Sequence, residues 1–559
     1  MSNTQKNKKN HNTHNTNNYD LVIIGGGISG IYTLYKLSKT FSHLKIILLE
    51  SGERYGGRIY SYKETIDGEE YIMDLGAGRL GHHHKLINNL INELGLKPKI
   101  IDIANTKTYI EVSETNSVHD KTHVKDTIMT KLYKFFISPL VSKLGKSALQ
   151  TFYLSELITK YVSLSFSQKV ASVFEYSSDL NEFNAYDAIE YFKHDYNNES
   201  KFFTLNGGLE QIIENMLILI KKTKSYKSKN ITLLNLSSVE NINKINSNNN
   251  TLYKIVVNNY SKSKVYNVYS NYVICAIPKQ SLEKLDIFKP FLRDINSINS
   301  INLLRIFEIY NKTNGEIWFK NIEKTISNSE VQFVIPINPN NGLIMSSYSD
   351  SANARFWNLL RAKKGITYVK SKLNIKLNQL FNIYNIKVPP SKYIKMYFWD
   401  AGVACWKKNV DSDNLSSKLL NPLPNVYIIG ENYSKYQAWC EGALMTSENC
   451  ISKFTNTLIT TMKTKTLKHT RKVGGKKGEH NKKMFTLDEV QKHNTKKDAW
   501  TIIENKVYNI SSWIPKHPGG EIIMQSLGKD ATQLFIANGH PSYVRKTILP
   551  KYYIGNLKK

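Results

Sequence analysis

Three glycines near the start of the chain have the spacing of a phosphate-binding turn. Gly25, Gly27 and Gly30 form the pattern G-x-G-x-x-G, which follows the short apolar run 21–24 and precedes apolar residues at helical spacing. Glycine allows a strand to turn tightly into a helix and allows a diphosphate to approach the backbone. The N-terminus of such a helix also offers unpaired N–H groups to the phosphates.

An acidic residue completes this pattern. Glu50 closes a second apolar strand, residues 45–49, and stands 25 residues after Gly25. A carboxylate in this position can accept hydrogen bonds from ribose hydroxyls. Two strands, one helix and a terminal acid therefore predict a dinucleotide-binding unit of the Rossmann type.

The four cysteines indicate no disulfide framework, and the three adjacent histidines at 82–84 indicate no metal site. The four cysteines are Cys275, Cys405, Cys440 and Cys450, and they include no C-x-x-C pair. This usage suits a reducing compartment. Three adjacent histidines, 82–84, cannot all face one ion from a helix or a strand, so we interpret them as the opening of a helix.

Several ordered blocks resemble the flavin-containing amine oxidase family, which includes monoamine, polyamine and L-amino acid oxidases. The blocks are residues 53–58, 74–79, 203–209, 239–242 with 272–278, and 426–431 with 439–444. They extend over roughly residues 19–455. The resemblance implies FAD as the cofactor and an amine oxidase fold.

The resemblance also implies which residues contact FAD. Gly56, Gly57 and Arg58 occupy the places that wrap the diphosphate. The backbone of Val239 would meet the adenine. A later strand would deliver the pair Gly430–Glu431 to the cofactor.

The same resemblance suggests a substrate site in front of the flavin. Substrates of this family lie between two aromatic rings, for which we select Trp439 and Trp406, although either tryptophan could instead pack in a core. Arg79 stands where L-amino acid oxidases have an arginine that binds the substrate carboxylate. A guanidinium matches a carboxylate bidentately, but Arg79 could also contact FAD or a neighbouring acid.

One position departs from the family pattern. Many amine oxidases place a lysine, through a water molecule, against the reactive flavin nitrogen, and the matching residue here is Arg305. Because arginine stays cationic and does not readily shuttle protons, this exchange brings rapid reoxidation by oxygen into question. Cys405 could anchor the flavin covalently, or it could be a small buried thiol.

The end of the chain resembles cytochrome b5. The segment H-P-G-G at 517–520 and the later G-H at 539–540 match the motifs that supply both axial haem ligands. The resemblance implies that His517 and His540 bind a b-type haem and favour one-electron transfer. The alternative is a domain of this fold that binds a steroid-type ligand or nothing.

These patterns divide the chain into four segments. Residues 1–18 are polar and predicted to be disordered, and 19–458 form the FAD-dependent amine oxidase domain. A basic segment, 459–483, has nine Lys or Arg against one Glu and is predicted to be a flexible linker. Residues 484–557 form the cytochrome b5 domain. The predicted fold class is an α/β FAD-binding Rossmann-type domain with an interleaved α+β substrate domain, plus a small α+β haem domain.

Composition restricts the partners and the location. The chain has 76 basic and 46 acidic residues, a net charge of +30. We attribute this excess to a lysine- and asparagine-rich proteome, resembling that of a giant DNA virus, rather than to specific nucleic-acid binding; a nucleic-acid or anionic-membrane partner is the alternative. No apolar run spans a membrane and no signal core is present, so we expect a protein of the host cytoplasm or the virion that is not secreted.

Together these features predict an oxidoreductase that removes a hydride from an amine or amino-acid C–N centre. The electrons would pass to oxygen or to the fused b-type haem, and the haem domain could serve a further redox partner. Two alternatives remain open: a flavin desaturase that acts on C–C bonds, and a non-catalytic electron-transfer or virion component.

Overall fold

A computed structural model describes most of the chain in two compact units. The residues outside the described part are 1–16, 105, 114, 116, 196–200, 248–249, 474–482, 518–519, 538–539, 541–543 and 559. The units are Met1–Ile459 and Thr460–Lys559. The predicted disordered start, residues 1–18, lies almost entirely outside the described residues.

The strands of the first unit run from the start of the described chain to Ile428. In chain order they are β1 (Asn18–Ile24), β2 (Ile46–Leu49), β3 (Ser61–Ile66), β4 (Glu69–Asp74), β5 (Leu80–Gly81), β6 (Ile100–Ile103), β7 (Lys107–Val112), β8 (Val118–Asp120), β9 (Phe202–Leu205), β10 (Ile231–Leu234), β11 (Ser237–Ser247), β12 (Asn250–Asn259), β13 (Lys264–Cys275), β14 (Ile298–Ile309), β15 (Lys324–Ser327), β16 (Phe333–Asn338), β17 (Leu343–Asp350), β18 (Tyr393–Trp406) and β19 (Val426–Ile428).

The α-helices of this unit lie between those strands, except for α16, which follows β19. They are α1 (Ile28–Thr40), α2 (Lys85–Glu93), α3 (Thr122–Lys131), α4 (Ser138–Leu149), α5 (Leu154–Tyr161), α6 (Leu164–Val173), α7 (Ser177–Asn181), α8 (Ala185–Asp195), α9 (Gln211–Lys222), α10 (Lys224–Lys227), α11 (Lys279–Leu282), α12 (Leu292–Ile295), α13 (Ser351–Lys364), α14 (Ile366–Phe381), α15 (Ser412–Leu419) and α16 (Cys440–Val473).

A parallel sheet forms the centre of the dinucleotide half. Strands β10, β2, β1, β13 and β19 pair in parallel, and β12 and β11 extend the sheet antiparallel beyond β13. Alternate side chains of β1 enter opposite cores: Leu21 and Ile23 pack with α1 and α9, whereas Val22 and Ile24 pack with β12 and β13. Burial on both faces explains why the sequence shows a continuous apolar run here instead of an alternating pattern.

A second sheet belongs to the other half of the unit. Its order is β18-β14-β17-β16-β15-β7-β8, and the pairing of β14 with β18 is the longest in it. Helices α13 and α14 cover one face with a core that includes Trp357, Leu373 and Phe381. A layer of helices from α3 to α8 packs around Leu157 and Ile158. Residues of this sheet and of the helix layer from α3 to α8 line the cavity described below.

Helix α16 extends beyond the predicted domain boundary. It begins at Cys440 and ends at Val473, so the prediction of coil from 459 onward is wrong as far as Val473. No glycine or proline occurs between 459 and 473, and lysine, leucine and methionine there favour the helix. The remainder of the predicted linker, 474–482, lies outside the described residues.

The second unit has a small sheet and short helices. The sheet order is β20 (Met484–Phe485), β24 (Tyr553–Leu557), β23 (Lys506–Asn509), β22 (Asp498–Ile503) and β21 (Asn494–Thr495). The α-helices are α17 (Leu487–Gln491) and α18 (Thr532–Ala537). One core, which includes Ile514 and Phe535, lies beside the segments that carry His517 and His540.

Candidate functional site

The three glycines of the first turn have different structural roles. Gly25 adopts φ = 101°, and a Cβ there would collide with the carbonyl of Ala276. A Cβ on Gly30 would collide with the carbonyl of Gly25. Both positions therefore require glycine for the packing of strand and helix.

Gly27 differs because it faces open space. The nearest atom to a Cβ there would be the Gly57 Cα at 4.0 Å. Gly27 is also the N-cap of α1 and provides no side-chain cap, so N–H groups of the first helical turn remain available to a ligand. A Cβ would fill this cradle, which fits a diphosphate lying against the backbone.

Glu50 organises the loop around this cradle. Its carboxylate accepts hydrogen bonds from the N–H of Gly26 and the N–H of Gly52, each at 2.7 Å. The carboxylate also lines the large cavity described next. Each carboxylate oxygen can accept more than one hydrogen bond, so Glu50 can still receive a ribose hydroxyl.

The predicted cofactor residues line one cavity of about 1560 Å³. This exceeds the roughly 300–1,000 Å³ of a typical small-ligand pocket and suits a dinucleotide together with a substrate. The cavity-lining residues include Gly25, Gly27, Glu50, Gly56, Gly57, Arg58, Val239, Gly430 and Glu431. Gly30 lies behind the turn and is absent from the described lining.

Arg58 and Glu431, two of the cavity-lining residues, form an ion pair with each other. The Arg58 guanidinium is 2.7 Å from the Glu431 carboxylate and donates to the carbonyl of Gly402 at 3.0 Å. Glu431 is 5% exposed and also accepts from the N–H groups of Ala404 and Ala438. Glu431 therefore fixes strand β18 and the start of α16 in addition to lining the cavity.

Arg79 and Trp439 meet at the other end of the cavity. Trp439 stacks on Phe202 with ring centroids 5.6 Å apart and an interplanar angle of 7°. The Arg79 guanidinium lies 4.7 Å from the Phe202 centroid and donates to the Tyr176 hydroxyl at 3.3 Å. This end of the cavity offers a flat apolar wall beside a cation.

Arg305 also faces the cavity. Its Nη1 donates to the Asp74 carbonyl at 2.6 Å, and its guanidinium lies 4.6 Å from the centroid of Tyr348. Tyr348 is its direct neighbour on β17. Sequence analysis did not identify Tyr348, because strand pairing and not a motif brings it to this position.

The prediction that Trp406 lines the substrate site is wrong. Trp406 is 0% exposed, belongs to the core of the parallel sheet, and donates its indole N–H to the Ser434 carbonyl at 2.9 Å. Trp399 lines the cavity instead, with its indole N–H on the Leu75 carbonyl. The two tryptophans are seven residues apart on β18, and an odd spacing places side chains on opposite faces of a strand.

Cys405 belongs to a buried core and not to the described cavity lining. It packs with Ile301 and donates its thiol to the Glu182 carbonyl at 3.3 Å. Burial raises the pKa of this thiol well above its usual range. The residue has the surroundings of an inert buried cysteine.

The three histidines at 82–84 open a helix, as predicted. His84 is the N-cap of α2 and contacts the Tyr436 hydroxyl at 3.0 Å. Its ring also meets Trp439 edge-on at 4.7 Å. Within the described parts of the chain, no group of three or more His, Cys, Asp or Glu side chains is arranged to hold a metal ion.

In the second unit the two predicted haem ligands face each other. The ring centroids of His517 and His540 are 6.0 Å apart. The Nδ1 of His517 contacts the Gly520 carbonyl at 3.3 Å, and the Nδ1 of His540 contacts the Phe535 carbonyl at 3.0 Å. A proton on Nδ1 leaves Nε2 free as a metal ligand, so this pair fits a haem iron bound from both faces.

Two family models match parts of the chain. Residues 486–558 match the cytochrome b5-like heme/steroid binding domain. Residues 23–94 match an NAD(P)-binding Rossmann-like domain.

Curated relatives match the second unit. A cytochrome b5 of Oryza sativa subsp. japonica is 47% identical over 78 residues, which cover 14% of this chain and 56% of that protein. An acyl-lipid (8-3)-desaturase of Physcomitrium patens is 51% identical over 83 residues, 15% of this chain and 17% of that protein. The chain thus spans between about a sixth and just over half of the length of these relatives.

Solved structures resemble the first unit. A protein assigned as a protoporphyrinogen oxidase from Exiguobacterium sp. 255-15 aligns with a TM-score of 0.54 and 16% identity, over 78% of this chain and 98% of that one. A triple mutant of putrescine oxidase aligns with a TM-score of 0.58 and 14% identity, over 78% and 99%. The predicted fold class is confirmed: a Rossmann-type dinucleotide-binding domain within an amine oxidase-like fold, followed by a cytochrome b5-like domain.

Proposed function

We propose that this chain is an FAD-dependent oxidoreductase that oxidises the C–N centre of an amine or amino acid. The observation that carries the proposal is the single cavity that joins the glycine cradle at Gly27 and Gly57 to the aromatic and cationic wall at Trp439 and Arg79. When bound, FAD supplies a two-electron acceptor, and oxidation of the C–N bond to an imine releases a hydride equivalent and one proton.

The residues of this chain would bind and orient the substrate. The stacked rings of Trp439 and Phe202 provide an apolar wall that excludes water from the reacting carbon. The Arg79 guanidinium provides a charged fork for a substrate carboxylate. The Arg305 guanidinium holds a fixed positive charge in the same cavity and does not release a proton near neutral pH.

An anaerobic screen tests this proposal. Purified protein is mixed with amines and amino acids in the absence of oxygen, and the flavin absorbance near 450 nm and the haem spectrum are recorded together. Bleaching of the flavin with release of ammonia supports C–N oxidation. Conversion of an apolar substrate without ammonia indicates a desaturase, and flavin that no substrate reduces indicates a non-catalytic component.

We expect Arg79→Ala to weaken amino-acid binding by about 2–4 kcal/mol, because a buried charge-assisted pair is lost. This corresponds to roughly 30-fold or more in Kd. The measurement is flavin bleaching as a function of amino-acid concentration, compared with the matching decarboxylated amine, whose binding should change little. Arg355→Ala is the matched control, since Arg355 is exposed and contacts Asn302. Equal rates for an amino acid and its amine in the unmodified protein would contradict this role.

We further propose that the haem unit receives electrons from the flavin unit, a role supported by the presence of both units on one chain and by Arg305 in place of the lysine of related oxidases. Arg305→Lys should then accelerate peroxide formation by about tenfold, because a buried lysine can exchange a proton. Oxygen consumption and haem reduction are followed after mixing with substrate, with Arg355→Lys as control. Fast oxygen consumption in the unmodified protein, with the haem left oxidised, would contradict this electron route.

We propose a cytoplasmic location from the cysteine usage of the sequence, which suits a reducing compartment. All four cysteines are free thiols. None of the helices in the described residues combines the length and the apolar character needed to cross a membrane.

A further inference from the structure

Three lysines surround one buried carboxylate in the first unit. Glu175 is almost inaccessible to solvent, and its carboxylate lies 2.7 Å from the Lys107 ammonium and 3.3 Å from those of Lys125 and Lys324. The Tyr109 hydroxyl donates to the same carboxylate at 3.0 Å. We call Lys107, Lys125 and Lys324 the lysine cluster. One carboxylate neutralises one of these charges, so the group carries a surplus of two positive charges when all three lysines are protonated.

This surplus is unfavourable for the protein alone. The side chains of Lys125 and Lys324 are each 11% exposed, and an ammonium group with an incomplete counter-charge is costly to bury. Lys107 and Lys324 are direct neighbours on the parallel strands β7 and β15, where like charges destabilise the pairing. Lys125 comes from a third element, α3.

The electrostatic effects of burial agree with this description. Desolvation lowers the pKa of Lys324 to about 7 and that of Lys125 to about 8, even though Glu175 opposes both changes. Burial would raise the pKa of Glu175, but the surrounding ammonium groups hold it well below its usual range. Asp126 also acts on Lys125 but is exposed, and solvent screens its charge.

The lysine cluster opens into the same cavity as the proposed substrate residues. All three lysines and Glu175 line that cavity together with Arg79 and Trp439. Tyr176, the residue after Glu175, accepts the hydrogen bond from Arg79. The positive charge of Arg79 acts on Lys324. Arg79, beside the aromatic wall, and the lysine cluster therefore line the same cavity.

We infer that the substrate carries a second, distal carboxylate, which binds the lysine cluster while Arg79 binds the carboxylate next to the reacting C–N centre. This inference rests on the proposed function and narrows its substrate class to dicarboxylic amino acids and related organic dianions. Lysine ammonium groups bind a carboxylate as point charges without a fixed fork geometry, and the anion supplies the missing counter-charge.

A binding experiment that requires no turnover tests this inference. The full chain is titrated calorimetrically at pH 6.5 with glutarate and with glutaramate, which has the same length but a neutral amide at one end. We expect glutarate to bind at least tenfold more tightly. Equal affinities for glutarate and glutaramate would overturn the inference. It would also be overturned if inorganic phosphate displaced glutarate as effectively as a second dicarboxylate does.

Variants then locate the binding site. Lys324→Met should weaken glutarate binding at least tenfold and leave glutaramate binding unchanged. The control is Lys320→Met, because Lys320 is exposed and pairs with Glu316, and it should have no effect. A folded Lys324→Met protein with unchanged selectivity would overturn the assignment. If this variant does not fold, the comparison of glutarate with glutaramate in the unmodified protein still tests the inference.

The pH dependence of glutarate affinity tests the role of the lysine cluster independently. Glutarate affinity should decrease as the pH rises from about 6 to 9, because Lys324 and then Lys125 lose their protons while Glu175 stays ionised and Arg79 stays charged. Affinity that is constant over this range would contradict the role of the two lysines.

Two outcomes distinguish this inference from the proposed function. If the protein prefers glutarate to glutaramate but no substrate reduces the flavin, the dianion site is supported and the proposed oxidation is rejected. If simple amines reduce the flavin but glutarate is not preferred, the oxidation is supported and the dianion site is rejected.

Discussion

Replacing Gly27 with valine should yield a folded chain that purifies without FAD. The valine side chain would occupy the open cradle between Gly27 and Gly57, where the nearest atom to a Cβ is 4.0 Å away, and would exclude the diphosphate. The molar ratio of FAD to protein, obtained from the flavin and protein absorbances, should fall from near one per chain to near zero. Retention of full FAD by this variant would reject the cradle as the diphosphate site.

Two alanine substitutions separate cofactor loss from misfolding. Gly27→Ala places a Cβ in ordinary contact with the surrounding atoms, so it should lose FAD affinity at a cost in stability of about 1 kcal/mol from the altered N-cap. Gly30→Ala places its Cβ against the Gly25 carbonyl and should lower the melting temperature markedly. If both variants lost FAD and stability together, Gly27 would be a packing residue like Gly30.

We expect His517→Ala and His540→Ala each to abolish the low-spin haem spectrum. Removal of either imidazole leaves the iron with one axial protein ligand, and such iron no longer has the bis-histidine absorption bands. Reduced-minus-oxidised spectra and the haem content of the purified protein measure this effect. Added imidazole should restore the low-spin bands in His540→Gly, because it supplies the missing ligand.

A third histidine of the same unit serves as control. His493 stacks on Trp500 with centroids 3.6 Å apart and pairs with Asp498. His493→Gln should retain the haem spectrum even if it loses some stability. A low-spin spectrum that survives both His517→Ala and His540→Ala would refute the ligand assignment.

The cofactor residues were predictable because each depends on a local pattern. Gly27, Glu50 and Gly57 lie within or beside one strand–turn–helix–strand unit, and the steric demands of that unit determine the residue types. The pair His517 and His540 belongs to a short segment of the second unit. In both cases sequence neighbours are also neighbours in space.

The walls of the substrate end were only partly predictable. The sequence does not show which face of β18 turns to the cavity, so it could not tell that Trp399 and not Trp406 lines it. The lysine cluster escaped the sequence analysis entirely, since its members belong to β7, α3 and β15. Only the folded chain brings together residues that are more than 200 positions apart.

The parallel sheet of the first unit determines when the cofactor site can form during synthesis. Strand β1 pairs with β13, about 250 residues later, and β13 pairs with β19 after another 150 residues or so. At ribosomal rates of about 5–20 residues per second, the growing chain exposes an incomplete sheet for tens of seconds. The helix that begins at Cys440 follows only after β19 has emerged. Apolar strands of this sheet therefore stay unpaired until β19 has emerged from the ribosome, and the part of the FAD site at Gly430 and Glu431 forms only after that point.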